Sequence, residues 1–272
     1  MRSLISGLAI IADPSLATYR SNRAAALISA NRYADALEDA RAADELDPGN
    51  GKILHRLARV YTSLGRPQEA LDVYARIEPP ASATDMASAK AMLQYVLQAE
   101  AAIAEGTAGS MALHALEQAD KGLGAGVDRP RQWKLLRGEA YLKMGNVNAL
   151  GDAQHVAMSL LRDNNQDPEA LVLRGRVLYA QGENEKAIQH FRQALNCDPD
   201  FKDAVKYLKL VRKLDQMKEE GNSCFKTGKY REAAEIYTSA LDVDPMNRGI
   251  NSKILQNRAM CSMKVILIPV DL

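Results

Sequence analysis

An all-α fold assembled from repeated helix pairs is what this sequence predicts. Three observations carry the expectation: a composition rich in helix formers, a set of small and turn residues that recurs at a near-constant interval, and Asp-Pro pairs that close each interval. Over 272 residues Ala, Leu, Glu, Lys and Arg recur throughout, and these side chains lose little freedom in a helix. Hydrophobic residues make up 47% and charged residues 25%, proportions of a soluble globular chain long enough for one long or two ordinary domains. Aromatic residues reach only 5%, so the core is expected to consist of small side chains, with helices approaching closely through Ala and Gly.

The recurrence is visible in order along the chain. Ala36, Ala43 and Pro48 sit in NRYADALEDARAADELDPGN, and Gly65, Ala70 and Tyr74 follow in YTSLGRPQEALDVY, with Ala36 and Ala70 thirty-four residues apart. A weaker copy holds Gly138, Tyr141 and Gly145 in LLRGEAYLKMGNVNAL. Gly182, Ala187, Phe191, Ala194 and Pro199 mark YAQGENEKAIQHFRQALNCDP, and Gly228, Ala233, Tyr237, Ala240 and Pro245 mark FKTGKYREAAEIYTSALDVDP. Each unit reads as two antiparallel helices, A and B. A Gly or Ala at the eighth and twentieth positions allows close approach, and a larger side chain near the eleventh or twenty-fourth fills the space beside it. Gly65, Gly145, Gly182 and Gly228 fall in the tight turn, where an unhindered backbone is useful. Asp47-Pro48, Asp198-Pro199 and Asp244-Pro245 end helix B, because Pro disfavours helical geometry in the residue before it. One such unit cannot bury its apolar face alone, so neighbours must stack.

Between residues 80 and 128 the pattern loosens. Pro79-Pro80 breaks the chain, and Met86, Lys90, Leu93, Val96, Leu97 and Ile103 then suggest a long amphipathic helix. Ala112, Leu113, Leu116 and Ala119 suggest a second, and Gly122, Gly124 and Gly126 a flexible joint. Residues 202–220 read as a long helix between repeats with a solvated Lys-rich face. The expected organisation is a repeat block over 1–79 with an incomplete first repeat, a degenerate repeat and Gly-rich joint over 80–128, a central block over 129–213, and a shortened final block over 214–272.

These offsets resemble the tetratricopeptide repeat over about two thirds of the chain. The resemblance implies a right-handed superhelix, a solenoid whose A helices line the concave side. Residues four apart on one A helix then project into one groove. Two clusters obey that rule: Lys52 and Arg56 in GKILHRLA, with Asn22 one repeat earlier, and Lys218 and Asn222 in MKEEGN, with Asn257 one repeat later. Both resemble parts of the carboxylate clamp of tetratricopeptide co-chaperones. There a Lys and an Asn, then an Asn, then a Lys and an Arg from three successive A helices hold the two carboxylates that end a heat-shock chaperone's Glu-Glu-Val-Asp tail. Lys218, Asn222 and Asn257 match the opening three positions; Asn22, Lys52 and Arg56 match the closing three. A chain end with two carboxylates needs convergent cations, and charge-assisted hydrogen bonds supply orientation as well as energy.

The order of features is similar to that of cytosolic, fungal-like co-chaperones of the DnaJ class that join these repeats to a J-domain, here expected to be truncated. The J-domain's His-Pro-Asp triplet is absent, since none of His55, His114, His155 and His190 precedes Pro. The resemblance implies a cytoplasmic, non-enzymatic scaffold. Its partners would be chaperones of the 70-kDa and 90-kDa classes and unfolded clients. A general assembly scaffold and an ER-luminal client holder are the alternatives, the latter because MRSLISGLAIIA resembles a weak signal peptide. A formal net charge of +1 gives no support to a nucleic-acid surface. The three widely spaced cysteines suggest neither a disulfide framework nor zinc. No phosphate-binding loop, His pair at metal-ligand spacing, catalytic constellation or membrane-spanning run is present, so no cofactor is expected.

Overall fold

The computed structural model describes residues 13, 15–106 and 109–267. Among the described residues the regular structure is thirteen α-helices, without a strand. The signal-like run over 1–12 and the last five residues lie outside them.

The chain divides into two compact units, one ending at Leu136 and one beginning at Arg137. The first contains α1 (Ala17–Ser29), α2 (Tyr33–Leu46), α3 (Gly51–Ser63), α4 (Pro67–Tyr74), α5 (Ala83–Glu105) and α6 (Gly109–Asp120), and α7 (Arg131–Met144) begins in it. The second continues with α8 (Val147–Asp163), α9 (Pro168–Ala180), α10 (Asn184–Cys197), α11 (Lys202–Lys226), α12 (Tyr230–Leu241) and α13 (Arg248–Leu267).

Local chemistry sets the helix starts. The Asn50 side chain accepts from the backbone N–H groups of Lys52 and Ile53 to open α3. Asp167 does the same for Glu169 and Ala170, with Pro168 at the first helical position of α9. Ser82 and Asp85 form a reciprocal capping box at α5. Each device satisfies N–H groups that the first turn leaves without intrahelical partners. The turn glycines Gly65, Gly145, Gly182 and Gly228 all take positive φ, between 62° and 80°, a conformation in which a Cβ would be strained. Asp47 and Asp198 cap the C-termini of α2 and α10, and α12 ends at Leu241, three residues before Asp244.

Within the second unit the core gathers Leu171, Phe191, Val211, Leu214, Tyr237, Ile250 and Ile254. The small-to-large pairing expected from the repeat holds: a Cβ on Gly175 would lie 2.5 Å from the Phe191 ring, and one on Gly221 would lie 2.6 Å from the Tyr237 ring. In the first unit Leu54, Ala58, Val60, Ala70 and Tyr74 form the corresponding cluster.

Three expectations need adjustment. The buried face of α5 is Ala89, Met92, Val96 and Ala99, whereas Leu97 is 53% exposed. Alanine sets this seam, because helix packing here is by close approach rather than by the largest side chains. The Gly-rich segment is a packed connection rather than a free joint. The Tyr33 ring lies against Gly124, whose N–H donates to the Ser63 carbonyl at 2.8 Å. Finally, the boundary placed between 213 and 214 falls inside α11, an uninterrupted helix of 25 residues. Val211 and Leu214 on its inner face are fully buried, while Lys202, Lys206, Lys209 and Lys213 are exposed as expected.

Candidate functional site

The first cluster lies in the first unit. Lys52 and Arg56 stand one turn apart on α3, Lys52 exposed and Arg56 half-buried. The Arg56 guanidinium crosses to α1 and donates to the Ser21 carbonyl at 2.6 Å and also to the Ser21 hydroxyl. Burial lowers the Arg56 pKa from its ordinary value. Asn22 is exposed beside Ser21 on α1. Among the described residues no hydrogen bond joins Asn22 to Lys52 or Arg56; Ser21 is the residue that meets the guanidinium. Next to it Arg23 makes a two-pronged bond to buried Asp39, at 2.5 and 2.6 Å. That pair fixes α1 against α2 and so sets where Asn22 sits.

The second cluster lies in the second unit and is joined directly. Asn222 Oδ1 accepts from Asn257 Nδ2 on α13 at 3.2 Å and from the Tyr237 hydroxyl on α12 at 2.6 Å. Lys218, one turn before Asn222 on α11, has Asp215 at 3.5 Å and Glu219 at 3.8 Å. Glu219 Oε1 also accepts from Asn222 Nδ2 at 3.4 Å. One carboxylate oxygen thus reaches both the Lys218 ammonium and the Asn222 amide.

Two cavities flank this helix face. One, of about 130 Å³, is lined by Asn222, Phe225, Lys226, Tyr237, Asn257 and Met260. The other, of about 450 Å³, takes Lys218 together with Asn184, Lys186, Asp215, Glu219 and Lys253. Its walls are mixed in charge: Lys186 pairs with Glu183 at 2.5 Å, and Lys253 donates to the Gly182 carbonyl at 2.8 Å.

Sequence spacing brought Asn222 and Asn257 together, put Lys218 one turn before Asn222 on α11, and brought Arg56 to α1. It missed Ser21, Tyr237 and Lys226. Ser21 stands thirty-five residues before Arg56, the same separation as Asn222 from Asn257, and that shared offset was the signal available. Tyr237 was read as packing alone, yet its hydroxyl is part of the amide cluster.

Among the described residues no group of three His, Cys, Asp or Glu side chains is placed to hold a metal ion. Burial pushes the Cys224 and Cys261 thiols up, away from the thiolate a nucleophile needs. Among the described residues no helix is long and apolar enough to cross a membrane.

Comparison with known proteins agrees with the repeat architecture. Tetratricopeptide-repeat family models match residues 27–93 and 168–201. The chain is 33% identical over 253 residues to the DnaJ homolog subfamily C member 7 homolog of Schizosaccharomyces pombe, covering 93% of this chain and 46% of that protein. It is 31% identical over 260 residues to human DnaJ homolog subfamily C member 7, covering 93% and 50%. The chain therefore spans about half the length of the curated relatives it matches. The crystal structure of the P58(IPK) TPR domain covers 95% of this chain and 72% of that one, with a TM-score of 0.52 at 19% identity, a likeness of fold alone. The chain carries tetratricopeptide repeats over the matched residues and is related to these DnaJ homologues.

Proposed function

We propose that this tetratricopeptide-repeat scaffold, related to the DnaJ homologues of subfamily C member 7, acts in the cytoplasm as a co-chaperone. In this reading it docks the acidic C-terminal tails of heat-shock chaperones of the 70-kDa and 90-kDa classes. The observation that carries the proposal is the hydrogen-bonded pair Asn222 and Asn257, with Lys218 one turn before Asn222 on α11. Glu219, a carboxylate of the chain itself, lies between the Lys218 ammonium and the Asn222 amide, so an incoming carboxylate meets donors already turned to one point. The amides add hydrogen bonds without adding charge, and the lysine adds charge without fixing direction, a division of labour suited to a chain end with two carboxylates. In the first unit Lys52 and Arg56 offer a second cationic pair on α3, with Asn22 exposed on α1.

Titration with a peptide ending in Glu-Glu-Val-Asp tests the reading, with the same peptide capped as a C-terminal amide as control. The free acid is expected to bind the native chain and the amide to bind at least 10-fold more weakly, as follows from about 1.5–3 kcal/mol per charged hydrogen bond lost. A variant carrying Lys52→Ala, Arg56→Ala and Lys218→Ala is expected to lose that preference. Equal affinity of the native chain for the free acid and the amide removes the tail-docking function.

A further inference from the structure

Lys218 and Asn222 share a helix face, but they do not share a cavity. Lys218 lines the larger one, among Asp215, Glu219, Lys186 and Lys253. The amide pair Asn222 and Asn257 lines the smaller one, and the cation beside them there is Lys226. Lys226 follows Asn222 by four residues on α11, so the two point to the same side. It is exposed, and among the described residues it makes no ion pair, whereas Lys218 has two carboxylates within reach.

Tyr237 governs what the amides present. Its ring is 1% exposed, pressed against Gly221, and its hydroxyl donates to Asn222 Oδ1. Burial raises the phenol pKa, so the group stays a donor across the working range. With the Asn257 bond added, Asn222 Oδ1 accepts two hydrogen bonds, the full capacity of a carbonyl oxygen. Asn222 cannot then turn its oxygen to the cavity without breaking one of them, and Asn257 Nδ2 keeps one N–H beyond the bond it gives Asn222. The result is a small pocket lined by two amides that each keep one N–H, by the Lys226 ammonium, which makes no ion pair among the described residues, and by Phe225 and Met260. Its complement is a carboxylate on a short side chain or chain end.

We propose that Lys226 is the cation completing the carboxylate site formed by Asn222 and Asn257, with Tyr237 as the positioning residue that holds the Asn222 amide in place. The inference rests on the tail-docking reading and sharpens it: the charge contact beside the amides is made by Lys226, and Lys218 serves the neighbouring cavity.

The test follows the Asn222 and Asn257 side-chain amide resonances in the full chain during two titrations. One titrant is a decapeptide ending in Glu-Glu-Val-Asp; the other is N-acetyl-Val-Asp as free acid, which is too short for the rest of the groove. Both are expected to shift both amides. Lys226→Gln and Tyr237→Phe are each expected to weaken both titrants about 5-fold, the scale of one partly solvated charge or hydrogen-bond contact. Lys226→Arg is expected to restore binding, and Tyr237→Phe alone to shift the Asn222 side-chain amide resonances in the unliganded chain, through loss of the hydrogen bond to Oδ1. Native-like decapeptide binding by Lys226→Gln overturns the assignment while leaving tail docking in place. Lys226-dependent shifts with the dipeptide, but no decapeptide binding, keep the carboxylate pocket and remove chaperone tails as its ligand. Silence of both amides with both titrants removes both proposals.

Discussion

Replacing Gly221 by alanine separates two opposing effects whose sizes the structure fixes. In an unhindered helix the change is stabilising by about 0.8–1 kcal/mol, since alanine loses less backbone freedom than glycine. At Gly221 the new Cβ would meet Tyr237 ring atoms at 2.6, 2.8 and 3.0 Å, well inside van der Waals contact. The ring has nowhere to go: it is 1% exposed and tethered through its hydroxyl to Asn222. Overpacking of this kind costs about 1–3 kcal/mol, so the net expectation runs from no gain to a loss of about 2 kcal/mol. Gly151 in α8 is the control, because a Cβ there meets nothing within 4 Å. Gly151→Ala is expected to gain about 0.5–1 kcal/mol. Urea unfolding followed by circular dichroism reads both, and hydrogen exchange of the α11 and α12 amides localises the effect in a chain of two units. A rise of the urea midpoint for Gly221→Ala matching that of Gly151→Ala would refute the claim that the eighth repeat position is small because an aromatic ring fills its space.

Other perturbations address electrostatics. Burial, aided by the nearby Arg174 charge, lowers the His190 pKa from its ordinary 6.5. The unfolded chain therefore binds a proton more readily than the folded one, and stability is expected to fall as pH drops through about 6.5; a His190→Gln variant with an unchanged decline between pH 7.5 and 5.5 would assign that loss to other groups. Arg23→Ala leaves Asp39, only 3% exposed, without its two-pronged partner. The expected loss is about 2–4 kcal/mol, partly recovered by Asp39→Asn in the same chain, and thermal melts of the single and double variants check it.

How far the sequence could be read depends on the kind of interaction involved. The recurrence of Gly, Ala and Asp-Pro was legible because it encodes backbone needs: positive φ at Gly182 and Gly228, close approach at Gly138 and Ala187, helix termination at Asp47 and Asp198. Spacing also placed Lys218 and Asn222 on one face, since a helix turns at a fixed rate. It misread α5, where Leu97 looked like core and Ala99 is core. A helix whose neighbours approach closely is seamed by its smallest residues, and hydrophobicity alone does not rank those.

By itself the sequence determined the helix pairs, their turns and the offset between equivalent A-helix positions, because each is a property of one chain segment and its immediate neighbours. Only the tertiary structure decided that Arg56 meets Ser21 rather than Asn22, that Tyr237 holds the Asn222 amide, and that Lys218 and Lys226 face different cavities. Those outcomes depend on the rotation of one helix about its axis against the next. That rotation is set by the summed packing of many small side chains, which a one-dimensional spacing rule does not contain.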